Sequence, residues 1–189
     1  MSSPVLATFA AGVSGTWRVD RIEAVIGDSL PGAERLSVLE SLATQAPAHS
    51  AWILRGVTSN TRYTNRSEAD ALGARQQGLS RPHATRAALI PIRKTQAWWA
   101  LAQDERRAIF EERSRHIGIG FEYLPAVARR LYHSRELGEP FDFLTWFEYA
   151  PDHAGAFEEL VRRLRETEEW RHVDREIDIR LTRVSAYTS

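Results

Sequence analysis

Six histidines are spread along the 189 residues, at His49, His83, His116, His133, His153 and His172. None forms H-x-x-H, H-E-x-x-H or another strong metal spacing. His116 stands out by its surroundings, Arg113-Ser114-Arg115-His116-Ile117-Gly118-Ile119-Gly120-Phe121, late in a stretch with helical periodicity. On periodicity alone, a histidine here is more often structural than a ligand. Gly118 and Gly120 each cost a helix about 1 kcal/mol relative to alanine, and glycines without a capping role imply a bulky neighbour. A flat macrocycle fits that, and so does another helix. A ligating imidazole needs its second ring nitrogen hydrogen-bonded, most strongly by a carboxylate. Glu166, Glu168 and Glu169 cluster before Trp170, as such a partner or as a solvated acidic face. Thirteen residues beyond His116, Arg129 and Arg130 must point to opposite faces of a strand. The buried one serves as an anion site at a metal or as half of a core ion pair. Pro91-Ile92-Arg93-Lys94 precedes Trp98-Trp99, a pattern suited to anchoring a propionate or phosphate, or to a lysine snorkelling over a core Trp pair.

Composition narrows the chemistry. There is no cysteine, which excludes disulfides, thiolate catalysis, Fe–S clusters, cysteine-rich zinc sites and covalent c-type haem. The single methionine is Met1, so an internal His/Met iron site is excluded too. Any haem here is non-covalent, most simply with one histidine ligand and one open position, as oxidant chemistry requires. Twenty-five basic residues balance 25 acidic ones, leaving no general field for nucleic acid or an anionic membrane. The N-terminus has no basic region and an interrupted apolar run, so it does not read as a secretory signal. No window approaches 18 apolar residues. A cytoplasmic protein is the expectation.

The elements that must position these residues follow from periodicity. Residues 16–26 read as a strand, 32–42 as a helix, 51–58 as a strand and 67–76 as a helix capped by Thr64 or Asn65. Residues 85–94 read as a strand. Asp104 is the expected N-cap of one long helix over 106–121. Residues 126–133 form a strand, Gly138-Glu139-Pro140 a turn, and 141–149 the next strand. An amphipathic helix over 154–165 extends toward Trp170, and 173–184 is the last strand. The order β-α-β-β-α-β predicts a ferredoxin-like α+β fold of the dimeric α/β-barrel type, an antiparallel sheet with helices on one face. Residues 1–84 read as a shortened N-terminal copy of that unit and residues 85–189 as the full C-terminal one.

Several segments in order resemble the chlorite dismutase family, in its short, dimeric branch. They are Arg86-Ala87-Ala88-Leu89-Ile90-Pro91-Ile92-Arg93-Lys94, Ala97-Trp98-Trp99 with Asp104-Glu105-Arg106-Arg107-Ala108-Ile109-Phe110, Leu131-Tyr132-His133-Ser134, and Phe141-Asp142-Phe143-Leu144-Thr145-Trp146-Phe147-Glu148. The similarity extends over nearly the whole chain. It implies non-covalent haem b in the C-terminal subdomain, with His116 as the proximal iron ligand and Glu169 as the carboxylate bonded to it. It implies Arg129 as the distal arginine. Lys94, Trp98 and Tyr63 would line the haem, Lys94 near a propionate, and Gln76 matches a distal-side residue of the dimeric branch. It further implies a homodimer, and chlorite as a small anionic substrate split into chloride and dioxygen. The family also contains coproheme decarboxylases, whose redox-active tyrosine precedes a proline. Here Ile90 precedes Pro91, and the distal arginine those enzymes lack is present as Arg129. Three other readings stay open on the residues alone: haem-dependent oxidant detoxification of another anion, a haem carrier or sensor, and a dimer without haem in which His116 is structural.

Overall fold

Strand β5, Arg86–Lys94, is buried on both sides, which a sheet with one free face does not produce. Its Ala87 and Leu89 join one apolar cluster with Phe9, Trp17, Trp146 and Ile179. Its Ala88, Ile90 and Ile92 join a second with Phe147, Tyr149, Phe157 and Leu160. The computed structural model describes residues 4–40, 47–58, 63–76 and 78–184, and in it the sheet is closed. Around the barrel the order is β1 (Leu6–Gly12), β3 (Arg35–Leu39), β2 (Trp17–Ile26), β8 (Val173–Arg183), β5, β7 (Phe143–Tyr149), β6 (Val127–His133) and β4 (Trp52–Val57), with every neighbouring pair antiparallel. The first cluster fills the barrel, and the second lies outside it, between the wall and the helices.

This corrects the expected fold class: the architecture is a closed eight-stranded barrel rather than an open ferredoxin-like sheet with helices on one face. Two strands make the difference. In β1 five consecutive residues are buried, so no period-two alternation marks it as a strand. In β3 the apolar spacing over 32–42 imitates a helix. Pairing with β1 from Gly12↔Arg35 to Thr8↔Leu39 outweighs that local preference. The second half keeps the expected element order, but its sheet continues from β8 into β2 through long pairing. The seam on the other side is thin, since β4 meets β6 only at Val57↔His133.

Helix α1 is Arg66–Arg75, capped by Asn65, whose Oδ1 accepts from Glu68 N at 2.9 Å while Glu68 Oε2 accepts from Asn65 N at 2.9 Å. After β5 come the short helices α2 (Gln96–Ala100) and α3 (Gln103–Arg107). The expected single helix over 106–121 is broken: a π-helical turn, Ala108–Arg113, ends at Arg115 with φ of 53°, and α4 is His116–Glu122. Asp104 sits inside the first turn of α3 and does not cap it; Ala102 holds the cap position. The fifth helix, α5 (Ala154–Arg165), buries Phe157, Leu160, Val161 and Leu164 against the barrel wall, each such side chain stabilising by roughly 1.5–3 kcal/mol. It stops at Arg165, short of Trp170, which lies in a separate 3-10 turn, Glu169–His172.

Candidate active site

A cavity of about 590 Å³ lies between the outer face of the C-terminal strands and the cover formed by α1, the π-helical turn and α4. Tyr63, Gln76, Lys94, Trp98, His116, Arg129 and Glu169 all border it. Residues from five separate elements thus meet in one space.

One wall is a chain of three polar side chains joined through Glu169. His116 Nδ1 lies 2.6 Å from Glu169 Oε2, and Lys94 Nζ lies 2.7 Å from Glu169 Oε1. Glu169 is 4% exposed and Lys94 5%. Burial raises the Glu169 carboxyl, but Lys94 and His116 outweigh it and hold it at about 2. An ionised carboxylate only accepts, so His116 Nδ1 carries the proton and Nε2 is the nitrogen left for a ligand. The imidazole is held flat by Phe110, stacked at 4.4 Å and 23°. Lys94 sits over Trp98 and Trp170, 4.7 and 5.5 Å from their ring centroids. Its own backbone N–H donates to Asp142 Oδ2 at 2.7 Å. The resemblance assigns Lys94 to a propionate; the structure gives its ammonium to Glu169. Trp98 is 1% exposed, and its indole N–H has no hydrogen-bond acceptor among the described residues.

The opposite wall is strand β6. Arg129 and Arg130 diverge there as the alternation of a strand requires. Arg130 Nη1 pairs with Glu40 Oε1 at 2.6 Å, and Tyr132 OH donates to the same oxygen at 3.1 Å. Arg129 forms no ion pair with an acidic side chain among the described residues. Burial alone pushes its guanidinium down. It lies against α4, where a methyl group on Gly120 would be 3.7 Å from Nη1. The ion pair of Arg130 with Glu40 lies at the surface rather than in the core, and Arg129 is the cation without a carboxylate partner among the described residues.

The cover is held from both ends. The Gln76 side chain donates to the Arg129 carbonyl oxygen, on the strand edge that β4 leaves unpaired. Arg107 donates to Glu68 Oε1 at 2.6 Å and to the Tyr63 carbonyl, and Arg106 donates to Tyr63 OH at 3.1 Å. Tyr63 has φ of 61°, a left-handed conformation that costs a side-chain-bearing residue about 1 kcal/mol or more. Its ring meets Trp98 edge-on at 5.9 Å and Phe110 at 5.7 Å.

Sequence reasoning missed Phe110, Asp142 and Ser114, whose Oγ accepts from Glu169 N at 2.9 Å. Each sits in an ordinary amphipathic context, and only the break before His116 brings Ser114 inward. It also missed His133, which lines the cavity and packs edge-on against Phe143 at 5.4 Å. His133 shares the face of Arg129, roughly 13 Å further along the strand at the usual rise per residue.

Residues 33–185 match the family model described as chlorite dismutase. A chlorite dismutase from Ideonella dechloratans is 32% identical over 113 residues, which covers 59% of this chain and 38% of that protein. The dimeric chlorite dismutase of Nitrobacter winogradskyi superposes with a TM-score of 0.89 and 56% identity, over 94% of this chain and 99% of its own. A mutant chlorite dismutase from Candidatus Nitrospira defluvii gives 0.66 and 25% identity, over 95% and 91%.

Proposed function

The chain belongs to the chlorite dismutase family, and from that premise we propose that it is a haem b enzyme converting chlorite to chloride and dioxygen, with formation of the O–O bond. The observation that carries this reading is the pairing of unlike walls. His116 offers Nε2 from a wall whose charges are already matched, and across the cavity Arg129 holds a positive charge that no described carboxylate neutralises.

The lining suits a porphyrin. Ile90, Ile92, Phe110, Ile117 and Leu131 give apolar walls, and the unmatched indole N–H of Trp98 is a donor for a carboxylate at the edge of the ring. Bound there, haem supplies the oxygen-transfer and redox chemistry. The rest falls to the side chains. Glu169 accepts the Nδ1 proton bond, which orients the imidazole and makes Nε2 a stronger donor. Arg129 stays cationic at any working pH and holds an oxychlorine anion by charge-assisted hydrogen bonds in a site shielded from water. Retaining the hypochlorite-level fragment is what lets the O–O bond close before that fragment escapes. Ile90, 4% exposed on the cavity wall, cannot form the radical that a tyrosine provides in the decarboxylases. We further propose a homodimer, consistent with the chain's likeness to the dimeric Nitrobacter winogradskyi protein.

The test is dioxygen release at an oxygen electrode when chlorite is added to the haem-loaded protein, with His116→Ala as control. Stoichiometric oxygen that vanishes in the variant is the expected result. A His116-dependent Soret band with no oxygen would replace the proposal with a haem carrier or sensor.

A further inference from the structure

The break that makes His116 the first residue of α4 needs an explanation of its own. Had the helix run straight through, the N–H groups of Ile117 and Gly118 would bond to the carbonyls of Arg113 and Ser114. The left-handed Arg115 ends that ladder at a cost of about 1 kcal/mol or more. It also leaves the first-turn N–H groups of α4 without helical acceptors. Arg115 stands at the cap position and has no acceptor on its side chain.

Glu111 fills this gap from the π-helical turn. Its Oε2 accepts from Ile117 N at 2.6 Å and its Oε1 from Gly118 N at 3.2 Å. A serine or aspartate at the cap position would have satisfied the same amides locally. The chain instead tolerates a strained residue and reaches back six positions with a carboxylate. One step along, Ser114 Oγ takes the backbone N–H of Glu169. Both members of the His116–Glu169 pair are therefore referenced to the same short segment, His116 through Glu111 and Glu169 through Ser114.

We propose that Glu111 is a positioning residue for the proximal histidine: its bidentate hold on the start of α4 sets the height and rotation of His116 against Glu169, and so the direction of Nε2. The inference rests on the reading of His116 as the iron ligand, and its experiment separates the two. Glu111→Ala and Glu111→Gln are compared with the parent and with Glu112→Ala, an exposed neighbour. In the haem-free chain the readout is the downfield proton resonance of the His116 Nδ1–Glu169 bond. With haemin added, the readouts are affinity and the ferrous iron–histidine stretching band.

The expected result is a folded Glu111→Ala protein by far-UV circular dichroism, with the downfield proton shifted or lost. Haemin binding weakens about tenfold, the lower end for residues that orient a metal ligand, and the iron–histidine band broadens. Glu111→Gln, which keeps one acceptor oxygen, falls between, and it carries the test if the alanine variant does not fold. A lowered Tm with an unchanged downfield proton, haemin affinity and band would reduce Glu111 to a helix cap and overturn the inference. If the parent itself shows no His116-dependent haemin spectrum, the iron-ligand reading fails, while the proton resonance still decides what Glu111 does to His116.

Discussion

The two walls of the cavity solve opposite problems. On the His116 wall the carboxylate is matched on both oxygens: the imidazole lies 2.6 Å from one and the ammonium 2.7 Å from the other, with Glu169 and Lys94 both buried. On the β6 wall Arg129 is half-buried, with no matching carboxylate among the described residues. A buried pair that loses one member leaves an uncompensated charge and is costly to break, whereas an unmatched charge already pays for its burial. The expectation that follows, on the proposed function, is stability concentrated on the first wall and anion affinity on the second. Substitutions that separate stability from anion binding test the division.

The largest effect is expected at Glu169. Glu169→Ala strands the Lys94 ammonium, 5% exposed and beneath Trp98 and Trp170. Loss of one partner of a buried pair costs about 3–5 kcal/mol, or roughly 10 °C in Tm for a chain of this size. Adding Lys94→Met should recover much of the loss, because the stranded charge goes with it. Thermal melts of the two single variants and the double would check this. A single variant within about 2 °C of the parent would show that this wall does not hold its charges as a unit.

Next comes the contrast between neighbours on one strand. Arg129→Ala should leave stability unchanged or slightly raised, since it removes a cation that burial disfavours. It should weaken fluoride binding to the haem-loaded protein about tenfold or more, and it should hasten haem bleaching per chlorite turnover. Arg130→Ala should do the reverse. Its ion pair with Glu40 is more than a third exposed on both sides, so its removal costs at most about 1 kcal/mol, with fluoride affinity intact. Equal bleaching per turnover in Arg129→Ala and the parent would remove the anion-holding role.

The division between the walls explains what was legible in the sequence. Clusters of like charge leave a pattern in sequence even though their partners lie far along the chain: the acidic cluster before Trp170 and the Arg129–Arg130 alternation both marked side chains that border the cavity. The amphipathic α5 was legible because one buried stripe suffices to define it. The barrel was not, because closure depends on β1, buried on both faces, and on β3, whose spacing imitates a helix. Neither shows its partner in its own pattern. The break before His116 was illegible for a related reason. Arg115 is an ordinary helix former, and what stops the helix is a carboxylate four residues earlier together with a serine bonded to a turn more than fifty residues away. Lys94 borders the cavity, but the choice between an external carboxylate and Glu169 depends on a distance that no spacing encodes.

The smallest expected effect lies where the cover meets the second wall. β6 pairs fully with β7 on one edge, but β4 reaches its other edge only at His133. The Arg129 carbonyl on that open edge accepts instead from the Gln76 side chain. Gln76→Leu removes one hydrogen bond of a kind that contributes about 1 kcal/mol, so Tm should fall by only about 3 °C. The consequence should be local. The carbonyl that fixes the backbone of Arg129 loses its donor, while α1 keeps its anchors at Glu68, at the buried Leu72 and at Arg75 over Phe121. Fluoride affinity should drop two- to threefold, less than in Arg129→Ala, because the cation remains but its position is looser. The double variant, Gln76→Leu with Arg129→Ala, should then bind fluoride no worse than Arg129→Ala alone. If the two losses multiply, Gln76 acts on the anion by itself, and the second wall comprises two independent groups rather than one cation and its support.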